Sequence, residues 1–203
     1  MIIGQLEKEH TDEAIYLIET LGNFFRLSLS QGREVVQVGS EIEHVRNYLY
    51  IQQLRHGQGY QYHIQVHDPE VLSFAMPRLL LQPLVENAIF HGILPKDSQI
   101  GAAGRVEVVV SAAEDGIVFT VTDNGVGIGP RELEEINQIL SGEVEAPADR
   151  PCFGLQNVQK RVQLIFGPEY GLHITSTLGE GTKTTLKIGF MKSDEFNRPK
   201  ESV

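Results

Sequence analysis

At 203 residues, with 41% hydrophobic and 22% charged residues, the chain has the composition of one soluble globular domain, or of one domain with a helical appendage. A formal net charge of −10 argues against non-specific nucleic-acid binding, though glycine-rich backbone could still hold an anion locally. The single cysteine, Cys152, excludes an internal disulfide, no run of about 18 apolar residues is present, and Met1 to Leu6 lacks a signal-peptide pattern. A soluble, cytoplasmic product is expected.

Residues 7–30 have helical spacing, with Leu17, Ile18, Leu21, Phe24, Phe25 and Leu29 on one stripe that could meet a helix of this chain or of a partner. Val35, Val36 and Val38 form a short extended piece. Ser40 is a suitable N-cap for a helix over 41–55, with Glu41 and Glu43 in its first turn. A turn at 56–60 leads to a half-buried strand in which Tyr60, Tyr62, Ile64 and Val66 alternate with polar residues.

Residues 79–92 (LLLQPLVENAIFHG) are expected to form the next helix, with Pro77 at its first position. At 3.6 residues per turn, Leu80, Leu84, Asn87 and His91 share a stripe. Polar groups continuing an apolar stripe need partners, and these are either local backbone or a ligand. A loop over 95–104 precedes two β-rich runs, 105–112 and 116–122, joined by a hairpin signal at Glu114-Asp115-Gly116. The second run ends at Asp123-Asn124-Gly125-Val126-Gly127-Ile128-Gly129, where three glycines in five residues imply positive φ or close approach. Residues 130–141 suit a short amphipathic helix and 142–151 a mobile loop. A helix over 153–166 with Leu155, Val158, Val162 and Ile165 inward, two strands over 172–177 and 182–190, and a fraying tail from Ser193 complete the pattern.

The Asn helix and three glycine clusters, in this order, resemble the nucleotide-binding domain shared by sensor histidine kinases, type II topoisomerases, Hsp90 chaperones and mismatch-repair ATPases. The carrying motifs are Glu86-Asn87-Ala88, Asp123 to Ile128, Gly154-Leu155 and Gly179-Glu180-Gly181-Thr182. The resemblance covers residues 74–190. The run from Leu79 to Ile89, His91-Gly92, and the upstream Phe24-Phe25-Arg26-Leu27-Ser28 and Tyr48-Leu49-Tyr50-Ile51-Gln52 resemble the LytS-like, autolysin-regulating group of those kinases, over nearly the whole chain.

That resemblance implies a two-layer α/β sandwich of the Bergerat type, a mixed but mostly antiparallel sheet with helices on one face, preceded by N-terminal helices. It implies residues 1–57 as the end of a dimerisation region, 58–192 as an ATP-binding domain and 193–203 as a disordered tail. ATP and Mg²⁺ are the implied ligands. Asn87 would be the metal ligand, since Mg²⁺ takes hard oxygen ligands and keeps several waters. Asp123 would accept from the adenine amine with Thr182 in support. Gly125 and Gly127 would leave room for base and sugar in the box that ends at Ile128, and Gly154 and Leu155 would open a helix suited to the triphosphate. Gly179 and Gly181 would form the last box, and His91 would either line the phosphate end or only hold the helix in register. The segment 130–151 would be a lid, with Cys152 standing where a glycine is often found. Lys160 and Arg161 are expected as solvated charges.

In ATP-hydrolysing relatives a glutamate four residues before the Asn activates water; here Pro83 holds that place. This favours phosphoryl transfer to a protein, with Glu86 the nearby acid that could assist it or could be a hydrogen-bonded charge at the rim. The expected activity is phosphorylation of a histidine and relay to a response regulator, within a homodimeric membrane receptor that binds no nucleic acid. In this group the acceptor lies in an Asn-Pro-His-Phe-Leu segment absent from this chain, and His10 lacks that context. A fragment that binds nucleotide without phosphorylating itself is therefore expected. The alternatives are an anti-sigma-type serine kinase and a degenerate nucleotide-sensing or dimerisation module.

Overall fold

The computed structural model describes Gly22 and residues 35–56, 59–97, 104–144 and 153–192. The expected N-terminal helix over 7–30, His10, Cys152 and the tail from Ser193 lie outside the described residues. The elements are β1 (Val35–Gln37), α1 (Val38–Arg55), β2 (Tyr60–Val66), a 3₁₀ turn (Pro69–Ser73), β3 (Ala75–Pro77) and α2 (Gln82–Asn87). The last continues as a π-helical turn (Ala88–Ile93) and a final α turn (Leu94–Asp97). Then come β4 (Gly104–Ala113), β5 (Gly116–Asp123), α3 (Pro130–Ser141), α4 (Phe153–Phe166), β6 (Gly171–Thr177) and β7 (Gly181–Gly189).

Five strands form one sheet in the order β2-β4-β5-β7-β6, and only β2 and β4 run parallel. Alternation sorts its faces. Val106, Val108, Val110, Ile117, Phe119, Val121, Leu186 and Ile188 are buried on one side. Glu107, Thr120, Thr122, Lys183 and Thr185 fall on the other, at least partly exposed. The buried face shares one core with Val45 and Leu49 of α1, Leu84, Val85 and Ile89 of the α2 region, and Val158 and Val162 of α4. This is the expected α/β sandwich. The core also takes in α1, which the sequence had assigned to a separate helical region.

Local departures have physical causes. β1 pairs antiparallel with β3, Val35 opposite Pro77, so Pro77 is a strand residue and not the first residue of a helix. Helix α2 instead starts at Gln82, with Pro83 in the first turn, where its missing N–H costs nothing. Between β3 and α2 the chain turns sharply through Leu79, at φ +57°, and buries both Leu80 and Leu81 completely. That turn is held by Glu41 of α1, whose carboxylate accepts the N–H groups of Leu79 (2.9 Å) and Leu81 (3.1 Å). Burial pushes the Glu41 carboxyl above its ordinary range, opposed by those N–H donors and by His44. Helix α1 starts at Val38 because pairing with β3 brings the Val38 N–H to the Phe74 carbonyl (2.9 Å), which leaves Ser40 inside the helix. On α4, Ile165 is 39% exposed, and Phe166 packs against the core instead.

Candidate functional site

An open cleft of about 220 Å³ lies between the α2 region, the end of β5, α3 and the start of α4. Its inner wall is apolar, from Leu84, Ala88, Val121, Leu155 and Ile174. The polar lining comes from Asn87, His91, Asp123, Glu132, Thr182 and Thr184.

Asn87 ends the α2 segment, and the π turn that follows carries Ala88, His91 and Gly92 to the same cavity. Such π turns concentrate at functional sites, because the wider turn re-aims side chains. The sequence pattern gave no sign of it.

Asp123 is the last residue of β5, opposite Thr182 of β7, and is only 6% exposed. Its Oδ1 accepts the Gly125 N–H at 2.8 Å. A Cβ on Gly92 would come within 2.6 Å of that oxygen, so Gly92 is the residue that admits the carboxylate. Thr182 belongs to a hydroxyl cluster. Ser176 Oγ donates to the Gly181 carbonyl (2.8 Å) and accepts the Ile128 N–H (2.8 Å). With that one proton spent, the 2.9 Å contact with Thr182 is donated by Thr182, which leaves its oxygen able to accept from the cavity.

The glycines act mainly on the protein itself. A Cβ on Gly125 would overlap the Gly92 backbone, one on Gly127 (φ +65°) the Thr177 carbonyl, and one on Gly181 (φ +133°) the Asp123 carbonyl. Backbone contact thus requires glycine at 125 and 127 whether or not a ligand also needs the space. Val126 N–H to Gly92 O (3.0 Å) and Gly179 N–H to Val126 O (2.6 Å) lock the same loop.

Of the expected residues, Asn87, His91, Asp123, Gly127, Ile128, Leu155 and Thr182 line the cavity, whereas Gly125, Gly154, Gly179 and Gly181 are not part of its lining. Glu86 is not brought there. It accepts from Gln82 Nε2 at 2.8 Å and is hydrogen-bonded by Tyr48 of α1. Arg161 donates to the Arg78 carbonyl at 2.7 Å instead of standing solvated. Sequence reasoning missed Gly92, Ser176, Thr184 and Glu132. Gly92 was visible beside His91, but its partner Asp123 is 31 positions away, and only the fold reveals the contact.

A family model described as "Histidine kinase-, DNA gyrase B-, and HSP90-like ATPase" matches residues 75–191, and one described as "Histidine kinase" matches residues 1–60. The Bacillus cereus sensor protein LytS is 32% identical over 187 residues, 92% of this chain and 30% of that protein. The sensor histidine kinase YpdA of Escherichia coli is 35% identical over 87% of this chain and 29% of its own length. The chain therefore spans about 30% of the length of the curated relatives it matches. The catalytic domain of the histidine kinase ThkA shares the fold at 14% identity and a TM-score of 0.53, covering 78% of this chain and 97% of that one. With the family model matched over more than half of its length, the chain belongs to the histidine kinase-, DNA gyrase B- and HSP90-like ATPase family.

Proposed function

We propose that the chain is the ATP-binding catalytic part of a sensor histidine kinase, which presents ATP·Mg²⁺ for phosphoryl transfer to a protein histidine. The carrying observation is convergence: seven residues expected from four separate motifs line one cavity.

The residues fit the ligand. Asp123, pinned by the Gly125 N–H, can accept from an exocyclic amine beside Thr182. The apolar wall of Val121, Ile174 and Leu155 suits a flat heterocycle. The opening turn of α4, a 14-residue helix, offers N–H groups and a positive dipole end to phosphates. Among the described residues no group of three or more His, Cys, Asp or Glu could hold a metal. A divalent cation would have to draw on the nucleotide's own oxygens, and one amide oxygen from Asn87 with phosphates and water suits Mg²⁺. When bound, Mg²⁺ neutralises charge on the phosphate oxygens during transfer.

The lining supports transfer to a protein in preference to hydrolysis. Pro83 stands where hydrolytic relatives carry their base, and Glu86 faces α1. A neutral imidazole brings its own nucleophilic lone pair and needs only a positioned phosphoryl donor. On this reading 58–192 carries the nucleotide chemistry and 1–57 belongs to a dimerising, acceptor-bearing region, a reading favoured by the match over residues 1–60. The reading extends to relay to a response regulator within a membrane receptor, and it is supported by relatives named sensor proteins and sensor histidine kinases. No helix among the described residues is long and apolar enough to cross a membrane.

Isothermal titration with ATP, with and without Mg²⁺, tests the proposal. Binding is expected in both cases and tighter with Mg²⁺, and Asn87→Ala should abolish only the gain from Mg²⁺. Absence of heat from the unaltered chain would overturn it.

A further inference from the structure

Helices α1 and α2 are joined by a part-buried ladder of polar groups that ends one residue before Asn87. On α1, His44 and Tyr48 are four residues apart, on one face, and are 2% and 6% exposed. On α2, Gln82 and Glu86 have the same spacing. His44 Nε2 lies 2.8 Å from Gln82 Oε1, and Gln82 Nε2 donates to Glu86 Oε1 at 2.8 Å. The second bond fixes the first: with the amide nitrogen facing the carboxylate, the amide oxygen faces the ring, so His44 Nε2 carries the proton and donates. Tyr48 closes the ladder with a hydrogen bond to Glu86, and burial with the Glu86 charge pushes its phenol well above the ordinary range.

Two rungs between (i, i+4) pairs on facing helices fix both rotation and axial register. α2 is short, six residues before the π turn, and its N-terminus is held by Glu41, again from α1. His44, Tyr48 and Glu41 of α1 thus all bond to the α2 segment or to the turn that leads into it. Directed hydrogen bonds from the buried His44 and Tyr48 resist displacement, because breaking one leaves a desolvated group on α1.

We propose that His44 and Tyr48 are positioning residues for metal binding: acting through Gln82 and Glu86, they set the register in which α2 presents Asn87 to a cation on the nucleotide. Glu86 is then the anchor of this ladder and not a phosphoryl-transfer acid. The inference rests on the reading of Asn87 as the metal-bearing residue. It also makes α1 the element through which movement upstream would reach the nucleotide site.

The readout is the gain in ATP affinity produced by Mg²⁺, measured by calorimetry on the 203-residue chain with melting temperature recorded alongside. Tyr48→Phe and Glu86→Ala are expected to cut that gain about fivefold while affinity for metal-free ATP holds, the scale of one lost hydrogen bond. His44→Gln keeps an N–H donor for Gln82 and should retain the gain, whereas His44→Leu should lose it. Arg46→Ala, on the exposed side of α1, serves as control. Equal losses with and without Mg²⁺ would show a merely structural role and overturn the proposal, as would an unchanged gain in Tyr48→Phe. If Asn87→Ala leaves the gain intact, it is the reading of Asn87 that falls.

Discussion

The two walls of the cavity are built by different means. On the wall formed by α2, β5 and β7, backbone meets backbone: Gly125 against Gly92, Gly127 against Thr177, Gly181 against Asp123, with the Asp123 carboxylate held by the Gly125 N–H. On the α3 wall only Glu132 and Ile136 face the cavity, and only Ile139 and Leu140 of that helix are buried. The first wall is preorganised, so reading a base there costs little ordering on binding. The second is held by so little apolar burial that it can reposition when a ligand arrives. On the proposed reading, recognition belongs to the sheet side and adaptation to α3.

Glycine substitutions should separate the walls most strongly. Gly181→Ala adds both a left-handed strain and an overlap with the Asp123 carbonyl, at roughly 2–4 kcal/mol. Its melting temperature should fall by about 10 °C. Gly142→Ala at the end of α3 has φ +85° but open space around its Cβ, so it should cost only about 1 kcal/mol. Similar losses at both sites would erase the contrast. Asp123→Asn should keep the Gly125 bond, and hence the melting temperature, yet weaken ATP binding about 10- to 100-fold, the worth of a charge-assisted hydrogen bond. Calorimetry and thermal melts on the same samples check this.

Smaller effects are expected on the α3 side. Ile136→Ala should reduce nucleotide affinity about threefold with less than about 1 kcal/mol of stability lost, since the side chain is only partly buried. Hydrogen exchange should show α3 amides slowed by nucleotide more than those of β5. Smallest is the pH effect of Glu41. Its folded-state pKa lies above 4.5, so the folded chain binds the extra proton, and the stability from this group is full below about pH 4.5 and lost as pH rises through the folded value. Relative to Glu41→Gln, the wild-type chain should therefore gain melting temperature on acidification. A flat difference between pH 4 and 7 would contradict it.

The parts legible in the sequence were those governed by local pattern. Strands β4 to β7 and helices α3 and α4 follow from alternation, from Pro130 and from Gly167. Asn87, Asp123 and Thr182 follow from motif spacing. What escaped was set by long-range contact. The start of α2 depends on Glu41, about forty positions upstream. Pro77 is taken by pairing with Val35, and the orientation of Glu86 depends on Tyr48. Glu86 illustrates the limit best: its place next to Asn87 left open an assisting acid or a hydrogen-bonded charge, and its bond with Tyr48 of α1 depends on a contact no local pattern shows.

The central claim, that one cavity reads adenine at Asp123 and carries the phosphate–metal end at Asn87, is tested most directly by nuclear magnetic resonance of the labelled chain. Adenosine alone should shift the amides of Asp123, Gly127 and Thr182. Adding ATP with Mg²⁺ should recruit the Asn87 side-chain amide and the opening turn of α4. Shifts confined to the polar face of the sheet, or none at all, would contradict it.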